Sequence, residues 1–300
     1  MLGPTASGKS ELAVKIARAF NGEIISADSR QVYKGLDIGT GKVPKDEISN
    51  FKFLISNYYY QNIPHHLIDV VSPKKNFTVA HYQKLARKAI FDIWRRGKLP
   101  ILCGGTGLYI DAVVNGIVIP EVKPNKKLRR KLERKTTEEL FEILKKIDSE
   151  RAKNIDGKNP RRLIRAIEIV KSLGKVPTFK TKPLQVEILK IGIKRDDAAL
   201  KTLIEKRLLR RIDEGMIEEV KQLRQENLSW KRLEDLGLEY RYVARYLQNK
   251  ISKIEMIEIL KKEIRRYSKR QITWFKRDKK IIWIRNEKEA MMLLIKFKKL

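Results

Sequence analysis

The sequence predicts an α/β fold in which helices flank a parallel sheet, and three observations support this prediction. A phosphate-loop motif lies directly before a helical segment at the start of the chain. Two short apolar runs have the composition of buried strands. A long amphipathic segment lies between these runs, and helices that alternate with apolar strands are typical of a parallel sheet. The 300 residues suit either one large domain or a core with a smaller insertion.

The first element is the motif "GPTASGKS", which satisfies G-x-x-x-x-G-K-[ST]. In such loops the backbone N–H groups and the lysine hold phosphate groups, and the following helix N-terminus favours an anion. The helix that follows should bury Leu12, Ile16 and either Ala19 or Phe20 on one face. A glycine-rich turn without a ligand is the alternative interpretation. The predicted phosphate-binding residues are Gly3, Pro4, Thr5, Ala6, Ser7, Gly8, Lys9 and Ser10.

Only Met1 and Leu2 precede this motif, although such a loop normally follows a buried strand. We interpret the short start as a late start codon or a truncation, and a weakened natural variant is the alternative. If the chain is truncated, we expect that about five apolar residues restored before Gly3 would raise thermal stability and tighten ligand binding at the loop together.

The next elements are the runs "GEIISAD" and "KLPILCGG", which predict two buried strands. Between them, "FTVAHYQKLARKAIFDIWRRGK" predicts a helix that ends at Gly97. Its spacing of apolar residues predicts a buried face formed by Ala80, Leu85, Ala89, Ile93 and Trp94.

Polar segments follow both predicted strands, namely "ADSRQVY" and "GGTGLY". Ligands of parallel sheets bind beyond the carboxyl ends of the strands. We therefore predict that Asp28 and Thr106 face the same crevice as Lys9. Taken alone, Asp28 could be only a helix cap and Thr106 only a turn residue.

The composition is strongly basic, with 67 Lys and Arg against 36 Asp and Glu, and a formal net charge of +31. Such a surplus predicts a polyanionic partner, with nucleic acid first and an anionic membrane surface as the alternative. No apolar stretch approaches the roughly 20 residues of a spanning helix, and no signal peptide is recognisable. We therefore expect a cytoplasmic protein without a membrane partner.

The sequence offers few metal or redox ligands. Cys103 is the only cysteine, so no intramolecular disulfide can form, and its apolar run predicts a buried, inert thiol. His65 and His66 are adjacent and should point to opposite sides of an extended segment, and His81 is the third histidine. We do not expect histidine to ligate a metal.

The composition shifts from Glu121 to about Asp156, where charged helix formers predominate. We predict a small helical insertion at residues 121–156, with residues 1–120 and 157–300 as the catalytic core. The insertion is either a solvated helical face or a clamp for nucleic acid. Two further basic stretches follow: "NPRRLIRAIEIV" and "KRQITWFKRDKK". In the second, basic residues surround Trp274 and Phe275, a pattern that can neutralise phosphates and stack bases; these are Lys269, Arg270, Lys276 and Arg277.

Together these stretches resemble one family, the tRNA dimethylallyltransferases, also called tRNA isopentenyltransferases. The matching segments cover nearly the whole chain in the family's order: "GPTASGKS", "ISADSRQVYKGLDIGTGK", "HHLIDV", "PILCGGTGLYI", "RRLIRAIEIV", "RIDEGMIEEV" and "KRQITWF". The resemblance implies a fold similar to that of P-loop kinases. It also implies transfer of the dimethylallyl group from dimethylallyl diphosphate to N6 of the adenosine 3′ of the anticodon, adenosine 37.

The resemblance further implies roles for single residues. Asp28 would be the base that accepts the N6 proton, Thr106 would hold the flipped adenosine, and Arg207 would contact the diphosphate. Mg²⁺, bound partly through Ser10, would help to neutralise the leaving group. The tRNA anticodon stem-loop would be the partner of a monomeric enzyme, and the implied tRNA-binding residues are Asp28, Ser29, Arg30, Gln31, Thr106, Arg161, Arg162, Arg165, Lys269, Arg270, Gln271 and Trp274.

The chain departs from the family at "LGLEYRYV", where many members have Gly-Tyr and another charged residue. We therefore assign no role to Tyr240 or Arg241 from sequence. Three alternatives remain open. The first is a P-loop kinase of a small metabolite, and the second is a prenyltransferase of free adenine nucleotides. The third is a non-catalytic RNA-binding protein.

Overall fold

The computed structural model describes residues 1–47, 58–177 and 181–298 and divides into two compact units. The first unit contains Met1–Asn115 and Leu184–Leu300, and the second contains Gly116–Pro183. The helices and strands follow in this chain order: α1 (Lys9–Ala19), β1 (Gly22–Ser26), β2 (Tyr59–Tyr60), β3 (Ile63–His66), α2 (Val79–Arg95), β4 (Leu99–Cys103), α3 (Gly107–Val114), α4 (Lys126–Leu132), α5 (Thr137–Ile147), α6 (Ser149–Lys153), α7 (Pro160–Leu173), β5 (Ile191–Ile193), α8 (Asp197–Asp213), α9 (Met216–Gln225), α10 (Trp230–Leu236), α11 (Leu238–Leu247), α12 (Lys253–Phe275), β6 (Ile282–Ile284) and α13 (Glu287–Lys298).

The first unit is a mixed α/β structure built on parallel strands. Strand β1 lies between β3 and β4 and pairs in parallel with both, while β2 joins β3 in antiparallel orientation. Strands β5 and β6 form a second parallel pair. The strands predicted from "GEIISAD" and "KLPILCGG" are therefore confirmed as β1 and β4.

Leu2 connects the two sets of strands, because it forms parallel bridges to both Gly104 and Gly192. Its N–H donates to the Ile191 carbonyl at 2.9 Å, and its carbonyl accepts the Ile193 N–H at 3.0 Å. On the β4 side, the Met1 carbonyl accepts the Gly104 N–H at 3.2 Å. The two residues before the loop thus provide the strand pairing from which the loop leaves the sheet.

An apolar groove continues from Met1 between β4 and the segment that leads into β5. Its lining includes Met1, Leu99, Ile101, Leu189 and the 60 % exposed ring of Trp94. We expect that about five apolar residues added before Met1 would pair beside β4 and fill this groove. The melting temperature should rise by at least about 2–4 °C, the shift that one kcal/mol gives in a domain of 150–250 residues. Thermal unfolding checks this expectation against a Gly/Ser extension of equal length, and equal melting temperatures for the two extensions would contradict it.

The predicted helices exist, and the face that each buries overlaps the expected face only in part. In α1 the buried residues are Ala13, Val14, Ile16 and Ala17, whereas Ala19 is exposed. Leu12 and Phe20 only pack against the edge of that core.

In α2 the buried face consists of Tyr82, Ala86, Ile90 and Ile93, so the predicted face was wrong except at Ile93. Tyr82 explains the rotation: its hydroxyl donates to the Ser26 carbonyl at 2.9 Å and its ring stacks on Tyr109. With Tyr82 anchored in this way, Ala80, Leu85 and Trp94 are exposed, and Ala89 is partly buried against the edge of the core.

The second unit is helical and larger than the predicted insertion at residues 121–156. It extends over Gly116–Pro183 because α7 packs against α5, and residues such as Leu140, Leu144, Leu163 and Ile167 share one buried cluster. Residues 157–183 therefore lie with the insertion and not with the core. Within the described part of the chain, no helix is both long enough and apolar enough to cross a membrane.

Candidate active site

A pocket lies where the parallel strands of the first unit end, as the sequence predicted. The loop of residues 3–10 follows Leu2, Asp28 follows β1, and Thr106 follows β4. Lys9, Ser10, Asp28 and Arg207 line the same pocket, which thus brings together residues from three distant segments.

The loop of residues 3–10 wraps its backbone tightly ahead of α1. Gly8 is the N-cap of α1 with φ of 87°, a left-handed conformation that glycine adopts without strain. Inside the loop, the Lys9 ammonium donates to the Pro4 carbonyl at 3.1 Å, and burial lowers the pKa of Lys9. The Ser7 hydroxyl is buried and has no hydrogen-bond partner among the described residues. Buried cationic and polar groups of this kind favour an anionic ligand.

Gln271 of α12 braces this loop. Its side-chain oxygen accepts the Thr5 N–H at 2.9 Å, and its amide nitrogen donates to the Gly105 carbonyl at 2.8 Å. The side chain is buried, so both bonds connect the loop to the segment after β4 in a dry environment. Gln271 therefore orients the loop, and its predicted contact with tRNA stays a prediction.

Arg207 of α8 approaches the loop from the opposite side. Its guanidinium donates to the Thr5 hydroxyl at 3.3 Å and to the Gly41 carbonyl at 3.2 Å. Burial and, next in size, the charge of Arg211 lower the pKa of Arg207 to about 10. The side chain remains charged at neutral pH and presents a fixed cation to the pocket.

Asp28 lines the same pocket and lies in a turn. Its Oδ1 atom accepts the Arg30 N–H at 2.8 Å and the Gln31 N–H at 3.4 Å. The carboxylate thus caps a local turn, not the helix that the alternative interpretation expected, and it also lines the pocket. The turn fixes the carboxylate in place without covering it.

Thr106 contacts the segment that carries Asp28. Although it is the N-cap of α3, its side chain makes no capping bond to that helix. Its hydroxyl accepts the Ser29 N–H at 3.1 Å and also bonds to the Tyr267 hydroxyl. Burial raises the pKa of Tyr267. Thr106 thus connects the Asp28 turn to Tyr267, which lines the pocket, and its predicted role in holding adenosine stays a prediction.

Cys103 is buried beneath the loop, as predicted. Its thiol donates to the Lys9 carbonyl at 3.7 Å, and burial raises the pKa of the thiol. A neutral thiol in this position packs against the loop and is a poor nucleophile.

Several residues at the site were not identified from sequence. Arg195 follows β5 and donates to the Ser7 carbonyl at 3.2 Å. Its position after a strand end was the one available signal. Glu219 of α9 accepts the N–H groups of Asp37, Ile38 and Gly39 at 2.6–3.1 Å and thereby holds the loop beside Arg207.

The departure "LGLEYRYV" also contributes to the site. The Tyr240 hydroxyl donates to Glu219 at 2.8 Å, and Glu239 lines the pocket and accepts from Arg211 at 3.0 Å. No sequence pattern signals these contacts, since the partners lie on different helices.

The predicted tRNA-binding residues fall in both units. Ser29, Arg30 and Gln31 continue the turn of Asp28, and Arg30 and Gln31 line the pocket. On α12, Lys269 and Arg270 are exposed, and the Trp274 indole donates to Asp111 at 2.8 Å. Phe275 is only 3 % exposed and packs in the core, so the expectation that it stacks a base was wrong.

In the second unit, Arg161 and Arg162 are exposed at the start of α7. Arg165 instead pairs with buried Glu168 at 2.6 Å and donates to the Val122 carbonyl at 2.9 Å. These bonds give Arg165 a structural function, and its predicted contact with tRNA stays a prediction.

Comparison with known proteins gives a consistent result. A family model described as "IPP transferase" matches residues 31–278, and one described as "Isopentenyl transferase" matches residues 1–57. A tRNA dimethylallyltransferase of Anoxybacillus flavithermus is 40% identical over 288 residues, which cover 94% of this chain and 88% of that protein. A tRNA dimethylallyltransferase 2 of Treponema denticola is 43% identical over 291 residues, covering 93% of this chain and 91% of that protein.

Solved structures are similar over nearly the same extent. The tRNA isopentenylpyrophosphate transferase of Bacillus halodurans is 34% identical, covers 99% of this chain and 94% of its own, and gives a TM-score of 0.70. A eukaryotic dimethylallyltransferase acting on tRNA is 29% identical, covers 91% of this chain and 68% of its own, and gives a TM-score of 0.73.

Proposed function

Because this chain belongs to the IPP transferase family, we propose that it transfers the dimethylallyl group of dimethylallyl diphosphate to N6 of adenosine 37 in tRNA. One observation carries the proposal: a single pocket is lined by cationic groups, hydroxyl groups and a carboxylate. Lys9, Ser10 and Arg207 suit the diphosphate, and Asp28 suits the proton of the attacking amine. The loop of residues 3–10 and the parallel strands support a P-loop kinase-like fold.

The diphosphate end of the pocket would stabilise the leaving group. As the allylic C–O bond breaks, negative charge develops on the diphosphate, where donors that are already in place act most strongly. Lys9, Arg207 and the N–H groups at the start of α1 are such donors. Gln271 holds the loop at Thr5, and Glu219 holds the segment that leads to Gly41, the partner of Arg207, so little reorganisation would accompany the reaction.

Mg²⁺ fits the donor chemistry of this end of the pocket. Mg²⁺ usually binds through one or two protein oxygens together with water and substrate phosphates, so the Ser10 hydroxyl would suffice as a protein ligand beside a diphosphate. When bound, the cation would supply charge neutralisation to the departing diphosphate.

The carboxylate end would complete the chemistry. The lone pair of N6 is delocalised into the purine ring, so the amine is a weak nucleophile, and its proton must leave as the N–C bond forms. Asp28 would accept that proton, and the diphosphate would leave with the electron pair of the C–O bond. The Thr106 and Tyr267 hydroxyls lie beside the Asp28 turn and would bind the extruded adenosine.

The basic surplus suits tRNA as the acceptor. Between residues 116 and 183, the second unit contains 20 lysines and arginines against nine aspartates and glutamates. Lys126, Lys127, Arg130, Lys131 and Arg134 lie together on α4 and the residues after it. These side chains would neutralise phosphates of the anticodon stem-loop, in a monomeric cytoplasmic enzyme.

The decisive experiment is a transfer assay with labelled dimethylallyl diphosphate and Mg²⁺. We expect label in unmodified tRNA and little label in tRNA that carries guanosine at position 37. Equal labelling of free AMP would favour the adenylate prenyltransferase, and phosphate release from ATP with a small acceptor would favour the kinase. Binding of tRNA without any transfer would favour the non-catalytic alternative.

We expect tRNA affinity to depend steeply on salt, because each neutralised phosphate releases counterions. Replacing both Lys269 and Arg270 with alanine should reduce the slope of log affinity against log salt by about 1–2, since each phosphate contact contributes about 0.7–0.9. Filter binding or fluorescence anisotropy at several salt concentrations measures this slope.

The matched control removes Lys288 and Lys296, which are exposed on α13. It should leave the slope unchanged. An equal decrease in both double variants would show that net charge, and not the α12 surface, determines affinity.

A further inference from the structure

Arg211 is a second buried arginine at the pocket, one helical turn after Arg207 on α8. It lines the pocket and is only 5 % exposed. The two guanidinium groups meet at Gly41: a Cβ atom added there would lie 1.8 Å from Nη2 of Arg211 and 2.2 Å from Nη2 of Arg207. The absence of a side chain at Gly41 thus leaves room for the two guanidinium groups side by side.

Two adjacent buried cations repel each other unless an anion compensates them. Consistent with this, the charge of Arg211 contributes to lowering the pKa of Arg207. The structure supplies one directly bonded carboxylate, Glu239, which accepts from Nη1 of Arg211 at 3.0 Å. Nη1 also donates to the Gly39 carbonyl at 3.4 Å.

The remaining donors of Arg211 are not all used. Its Nε atom is buried and has no hydrogen-bond partner among the described residues. Lys9 and Arg30 line the same pocket, so four cations there accompany two carboxylates, those of Asp28 and Glu239. An unpaired buried donor and surplus positive charge are both relieved by a multiply charged anion.

We propose that Arg211 is a second guanidinium that binds the diphosphate of the donor beside Arg207, and that Glu239 holds it in position. This inference rests on the proposed function for the identity of the anion. It also assigns a role to the segment "LGLEYR". Glu239 orients Arg211. Tyr240 holds Glu219, which in turn fixes the loop at Gly39.

The test measures binding of inorganic diphosphate with Mg²⁺ by calorimetry, in the absence of tRNA. We expect Arg211→Gln to weaken diphosphate binding by about tenfold or more, because hydrogen bonds to charged groups contribute most to affinity. Arg211→Lys keeps the charge without the fork of donors and should bind with intermediate affinity. Arg210→Gln, an exposed neighbour on α8 that pairs with Glu214, should bind as the unchanged protein does.

Thermal unfolding without diphosphate separates binding from folding. A purely structural Arg211 would lower the melting temperature of the variants while the affinity of the folded protein stays unchanged, and that result would overturn the proposal. If Arg211→Gln does not fold, the test rests on Arg211→Lys. A diphosphate affinity of Arg211→Lys equal to that of the unchanged protein would also overturn the proposal.

The outcome is separable from that of the proposed function. Failure of the unchanged protein to prenylate tRNA, together with the expected order of diphosphate affinities, would refute the acceptor and leave the Arg211 site intact. Prenylation of tRNA with unaltered diphosphate affinity in both Arg211 variants would refute only the Arg211 site.

Discussion

Replacing Asp28 with asparagine should lower the rate of prenyl transfer by about 10²–10⁴-fold, the usual contribution of a positioned base. Asparagine keeps an oxygen that can accept the Arg30 N–H, so the turn should persist while the proton acceptor is lost. Binding of tRNA should change little, because the base acts in the chemical step. Single-turnover kinetics with labelled donor and a tRNA-binding assay measure the two quantities separately.

The control for this substitution is Asp213→Asn, since Asp213 is exposed near the end of α8. It should transfer the prenyl group at the rate of the unchanged protein. Asp28→Ala should be at least as inactive as Asp28→Asn. A near-normal single-turnover rate in either Asp28 variant would exclude Asp28 as the base.

Replacing Arg207 with glutamine should lower kcat by about 10²–10³-fold, the cost of removing one donor at developing negative charge. The guanidinium bridges the Thr5 hydroxyl and the Gly41 carbonyl, so its loss removes both a charge and a link to the phosphate-binding loop. The Michaelis constant for dimethylallyl diphosphate should rise as well. Steady-state kinetics with varied donor and saturating tRNA give both parameters.

Lys206 offers a matched control, because it neighbours Arg207 in the chain and is exposed. Lys206→Gln should leave kcat and the donor Michaelis constant unchanged. Unchanged kcat in Arg207→Gln, with only a higher Michaelis constant, would show that Arg207 binds substrate and transition state equally.

Part of the site could be predicted because it depends on local sequence and one general rule. The "GPTASGKS" motif specifies its own backbone conformation through its glycines, and strand composition located β1 and β4. Parallel strands align their carboxyl ends at one edge of the sheet. Lys9 and Asp28 accordingly line one pocket, and Thr106 lies beside the Asp28 turn. These predictions needed no knowledge of which helices pack together.

The contacts of other site residues could not be predicted from the sequence because their partners are remote in the chain. Gln271 braces Thr5 across 266 positions, and Arg207 reaches Gly41 across 166. The spacing of apolar residues along the chain does not indicate contacts between such distant positions. The loop-bracing bonds of Gln271 and the role of Glu219 were therefore not predicted, and the tRNA contact of Gln271, which the family resemblance implied, stays a prediction.

By itself, the sequence determined the parallel α/β character, the phosphate-binding loop, the carboxylate opposite it and the basic charge, since each depends on residue type and short spacing. Only the tertiary structure decided which face α2 buries, that residues 157–183 pack with the insertion, and that Arg211 and Glu239 enter the pocket. The physical reason is that the surface against which a helix packs decides which of its faces is buried. Several faces of a helix can be apolar enough to pack, and long-range contacts such as that of Tyr82 with Ser26 select one of them.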